Sequence, residues 1–191
     1  MRDPGPEDLR QALQGLQAAL RPHLAADWSL PAGPLDWNCH DTAAHIAHDL
    51  TAYATQLAAA PDDAYLPCDL TVRPAATPAH LLQIITAAGG LLTAILDTAD
   101  PAIRAWHWGP CDPSGFAAMG MAETLLHTHD ITRGLAPSWT VPGELAELIL
   151  HRLFPDAPPG DPAAVLLWCT GRGELPGHPG RTTWSWRATR T

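Results

Sequence analysis

The feature that narrows this chain most is periodic. Apolar residues recur every three to four positions over long stretches, and alternating runs rich in β-branched residues are nearly missing. The first such stretch, from about Pro6 to Arg21, sets Leu9, Leu13, Leu16 and Leu20 on one face. Pro22 and the segment WSLPAGPLDW end it. The second starts with Asn38 as N-cap and Asp41 at N3, and runs to about Ala60 along the stripe Ile46, Leu50, Tyr53, Leu57. A loop rich in Pro and Asp follows, from Pro61 to Ala76, with no strand pattern. Thr77 as N-cap and Pro78 at N1 open a third helix reaching about Thr98, in which Gly89-Gly90 marks close packing or a kink. After a loop carrying Trp106, His107 and Trp108, Asp112 and Pro113 open a fourth helix, with Gly134 expected just past its end. Shorter helices are expected at about Gly143 to Phe154 and Pro162 to Thr170. The tail, with TTWSW at 182–186, reads as one short edge segment or as packed tryptophans. The expectation is all-α: a four-helix bundle over residues 1–135, with residues 136–191 as short extra helices and a tail on the same domain.

At 191 residues, 46% of them apolar and 16% charged, the chain can bury a core without staples. Its net charge of −9 argues against a nucleic-acid partner, which needs clustered positive charge; the acidity reads as solubility. Cys39, Cys68, Cys111 and Cys169 form no CxxC pair and no zinc-knuckle spacing. With no apolar leader in MRDPGPEDLR, they are expected to be reduced thiols in a cytoplasmic protein. The most apolar stretch, Leu81 to Leu96, is read as too short and interrupted for a membrane span. All 11 basic residues are Arg, which suggests a GC-rich genome.

The fourth helix carries the chemistry. Glu123 and His127 are four apart, so they stand on one face, one turn from each other, beside Phe116, Met119 and Leu126. A carboxylate on a core-facing surface needs compensation, and a metal ion supplies it. E-x3-H alone equally fits an ordinary i,i+4 hydrogen bond. The second helix adds His45, beside the Ile46/Leu50/Tyr53 stripe and among small alanines. Three such ligands suit Zn²⁺ foremost, with Ni²⁺ or Fe²⁺ also suited, and leave one position open, the pattern of a catalytic site. His48 is a rival ligand, read as exposed because it points about 160° from the stripe. His129 and His40 are read as facing elsewhere or outward. Asp130 is placed to orient His127 from behind, and His107 to line a pocket mouth or to pack in its loop.

At these residues the sequence resembles a known family. WNCHDTAAHIAHDL (37–50) is similar to the W-x3-D-x3-H segment of the mycothiol-dependent maleylpyruvate isomerase branch of the DinB-like superfamily, through Trp37, Asp41 and His45. AETLLHTHD (122–130) resembles that branch's E-x3-H-x-W-D segment through Glu123, His127 and Asp130, with His129 where Trp is usual. The run LFPDAPPGDP…LLWCTGRGELPGHP resembles a tail common in actinobacterial members. The resemblance implies a DinB-like bundle holding a divalent metal between His45, Glu123 and His127. It also implies mycothiol or a similar low-molecular-weight thiol as co-substrate. Asp41, Asp130 and His107 are expected behind the metal or in its pocket.

The leading expectation is therefore a metal-dependent thiol transferase or isomerase, a monomer or homodimer, acting on a small electrophile. Arg73, Arg104 and Arg133 are candidates for holding carboxylates. The alternatives are a metal-dependent hydrolase with Asp130 as base, a non-catalytic small-molecule-binding protein on the same fold, and a plain structural bundle.

Overall fold

The computed structural model describes residues 1–135 and 139–189. Among them run six helices: α1 (Pro6–Leu20), α2 (Cys39–Ala59), α3 (Pro78–Thr98), α4 (Pro113–Leu135), α5 (Gly143–Leu153) and α6 (Pro162–Cys169). A 3₁₀ turn, Arg21–His23, follows α1. The starts of α2 and α4 have the physical causes read from the sequence, and Asp161 does the same for α6. Asn38 Oδ1 accepts from Asp41 N at 2.8 Å, Asp112 Oδ1 from Gly115 N at 2.8 Å, and Asp161 Oδ2 from Ala164 N at 2.9 Å. Each satisfies an amide that the first helical turn leaves without a partner.

α1 packs on α3 and α4, and α2 packs on α3 and α4, so the four long helices close a ring. Leu9, Leu16, Ile46, Leu50, Ile85, Leu92 and Met119 fill its centre. α5 covers another face of α4, α6 lies on α5, and their apolar residues join the same core. α4 is thereby enclosed, and every residue from Gly115 to Thr128 is buried. Residues 136–138 of the connection to α5 lie outside the described residues.

Three expectations change. Gly134 is not a terminator: α4 continues through it to Leu135. A Cβ there would collide with the Pro31 carbonyl oxygen, so glycine is needed for close approach of the loop before α2. The loop after α3 contains a hairpin, β1 (Ala105–Trp106) antiparallel to β2 (Pro110–Cys111), turned through Trp108 (φ 54°) and Gly109 (φ 135°). Two-residue strands carry no alternation that a sequence could display. Finally, α3 at 21 residues is long and apolar enough to cross a bilayer by length and composition, with 44% of its most apolar window buried in the bundle. Gly89 resolves in favour of close packing: the helix runs through it, and the Leu13 side chain fills the space a Cβ would take.

Candidate metal centre

α2 and α4 face each other inside the ring, and this brings His45 to Glu123 and His127. His127 Nε2 lies 3.1 Å from Glu123 Oε2, and His45 Nε2 lies 3.7 Å from the same oxygen. One ligand atom from each of the three residues falls within 4.8 Å of the others. Two atoms each bonded at about 2.1 Å to one ion at a tetrahedral angle stand roughly 3.4 Å apart, so the donor set fits a single divalent cation. The two imidazoles meet edge to face, ring centres 5.0 Å apart, and Trp37 covers His45 at 4.7 Å.

Behind the three donors is a supporting layer. Asp130 Oδ2 holds His127 Nδ1 at 3.0 Å, which leaves Nε2 aimed at Glu123. Arg172 donates Nε and Nη2 to the same carboxylate at 3.0 and 2.8 Å, and its Nη1 to the Thr170 carbonyl. Asp130 is fully buried. Burial pushes its carboxyl up, but His127 and Arg172 outweigh this and hold it below the usual range. Burial pulls the His127 imidazole down, and the hydrogen bonds to Asp130 and Glu123 overcome that and hold it up at about 9. Burial lowers His45. Glu123 is raised by burial and lowered more by His127 and His45, and its Oε1 accepts from Tyr53 OH at 3.4 Å.

One acid at this cluster escaped the sequence reading. Asp49 stands one turn after His45 on α2, and its Oδ2 is 3.1 Å from His45 Nε2. Burial, reinforced by the charge of Glu123, pushes its carboxyl up to about 8. The available signal was H-x3-D, the same one-turn spacing as E-x3-H.

Other candidates lie elsewhere. Asp41 does not reach the cluster; its side chain is 61% exposed and faces His40. His40 is tied down, its Nε2 3.0 Å from the Ala76 carbonyl oxygen. His48 is half-buried, not exposed, because the 61–76 loop folds back and sets the Leu70 carbonyl 3.3 Å from its Nδ1. His129 keeps a buried Nδ1 with no hydrogen-bond partner among the described residues. His107 is buried edge-on to Tyr53 and Tyr65, and burial pulls it down to about 4.

The cluster opens into a cleft of about 590 Å³ walled by Trp37, Arg172, Arg181, Trp184 and Trp186. Glu123, Trp184 and Trp186 also border a neighbouring space of about 660 Å³ that reaches His107 and Trp108. Of the cleft's cations, Arg172 is engaged by Asp130, whereas Arg181 lies over the Trp168 ring at 4.2 Å. Arg73, Arg104 and Arg133 do not line it.

The family model described as the mycothiol maleylpyruvate isomerase N-terminal domain matches residues 9–132. No curated protein and no solved structure matches the chain.

Proposed function

The chain belongs to the mycothiol maleylpyruvate isomerase N-terminal domain family, and from that premise we propose a metal-dependent enzyme that uses mycothiol or a related low-molecular-weight thiol to transfer or isomerise a small electrophile. The observation that carries the reading is the convergence of His45, Glu123 and His127 at the floor of an open cleft. His45, Glu123 and His127 are the proposed ligands of a divalent cation, with zinc, nickel and iron all suited to such donors. A cation held there supplies Lewis acidity, which lowers the pKa of a thiol brought to it.

The chain's own residues do the rest. Asp130 and Arg172 fix the orientation of His127, so that little reorganisation accompanies binding. Trp37 and Trp186 narrow the approach from water, and Arg181 faces the cleft as a partner for a carboxylate of thiol or substrate. Asp130, the base that a hydrolase reading relies on, is fully buried and occupied by His127 and Arg172, which counts against that alternative.

The test is turnover of an electrophilic probe by purified protein with metal and mycothiol, beside metal content. His45→Ala and Glu123→Ala are each expected to lower metal occupancy at least tenfold and abolish thiol-dependent turnover. Unchanged occupancy in both variants, or metal-loaded protein with no thiol-dependent turnover, would overturn the reading.

A further inference from the structure

Asp49 occupies a position that the three-ligand description leaves unexplained. Its side chain is only 16% exposed, and its Oδ2 lies 3.1 Å from His45 Nε2. That nitrogen also lies 3.7 Å from Glu123 Oε2. A neutral imidazole has one nitrogen lone pair. Once that lone pair points at a cation, Nε2 has no proton to give, and an Asp49 oxygen 3.1 Å away has nothing to accept. Two oxygens or nitrogens bonded at about 2.1 Å to one ion and 90° apart stand roughly 3.0 Å from each other. The His45–Asp49 spacing of 3.1 Å matches that of two neighbouring ligands in one shell. Asp49 thus meets the cluster at the same His45 nitrogen that faces Glu123.

We propose that Asp49 is a fourth protein ligand, so that α2 contributes an H-x3-D pair and α4 an E-x3-H pair to one cation. This rests on the metal reading above. The consequence is selectivity. Four protein ligands close a tetrahedral ion, as in structural zinc sites, and leave no place for a thiol. An ion that takes five or six ligands keeps one or two positions open with the same four donors. Two carboxylates and two imidazoles suit harder ions of that kind, Mn²⁺ or Fe²⁺, better than a set with one carboxylate.

The deciding experiment titrates the metal-free full chain with Mn²⁺ alone, reading free Mn²⁺ by electron paramagnetic resonance, and repeats it with Zn²⁺ by competition. Asp49→Asn is expected to weaken Mn²⁺ at least tenfold and Zn²⁺ by a smaller factor, while Asp69→Asn, an exposed carboxylate beside His48, leaves both unchanged. Equal affinities for wild type and Asp49→Asn, with His45→Ala still losing the metal, would overturn the fourth ligand and leave the three-ligand site standing. Absence of binding in the wild type would remove both. If Asp49→Asn fails to fold, a crystal structure of the Mn²⁺-loaded wild type decides: an Asp49 oxygen bonded to the ion supports the proposal, and one held away from it overturns it.

Discussion

At the scale of single residues, burial decides which ionisable groups carry information. His107 is the clearest case outside the cluster. Its ring is enclosed by Tyr53, Tyr65 and Phe116, and burial pulls it down to about 4. In the unfolded chain a histidine titrates near 6.5, so between these values the unfolded state binds more protons. The contribution is therefore intact above about pH 6.5 and lost as pH falls toward 4, by about 3 kcal/mol for a shift of this size. Urea unfolding at pH 7 and at pH 4.5 should show that His107→Gln flattens this part of the loss relative to wild type. Equal pH dependence in the two proteins would show that His107 is not held neutral. The sequence could place His45, Glu123 and His127 because one-turn spacing on an apolar face is a local property. Asp49 has the same one-turn spacing, but its burial and that of His48 depend on α4 and on the 61–76 loop folding across α2, which no local pattern displays.

At the scale of elements, capping residues and proline marked the helix starts, and the stops were harder. Gly134 shows why. Glycine past a helix end and glycine inside a helix under a neighbouring backbone look identical in sequence, and only the position of Pro31 separates them. The two roles predict opposite responses elsewhere. Gly90 is exposed on α3 with nothing near the place a Cβ would occupy, so Gly90→Ala should stabilise by about 0.5–1 kcal/mol through helix propensity alone. Gly134→Ala gains the same propensity but must push the Pro31 carbonyl, a backbone atom that cannot swing aside. A net loss of about 1–2 kcal/mol is expected, as for overpacking. Thermal unfolding of the pair checks this; a stabilised Gly134→Ala would mean the loop yields freely. The hairpin of β1 and β2 had no comparable local mark, since four residues are too few to show a period.

At the scale of the whole molecule, the described residues after α6, 170–189, form no helix or strand, yet they wall the cleft. Irregular chain carries no periodicity, so Arg181, Trp184 and Trp186 could not be assigned from sequence, and three other arginines were named instead. What fixes this segment is Arg152 on α5. It is buried, bonds Asp112 Oδ1 at 2.8 Å, and donates to the carbonyls of Ala188 and Arg187 at 2.7 and 3.3 Å. The Arg187 amide returns a bond to Leu153 at 2.9 Å. Arg152→Met should cost about 3–5 kcal/mol, because it removes the buried charge facing Asp112 and the donor to the Ala188 and Arg187 carbonyls. Hydrogen exchange at the Arg187 amide should quicken beyond the change in global stability. Unaltered exchange there would mean that the segment is held by its tryptophans. The residues that converge on the cluster lie within 9–132, whereas much of the cleft wall comes from 172–186. A chain that kept the first stretch together with Arg172 and exchanged the rest of the second would retain the three converging donors and admit a different guest.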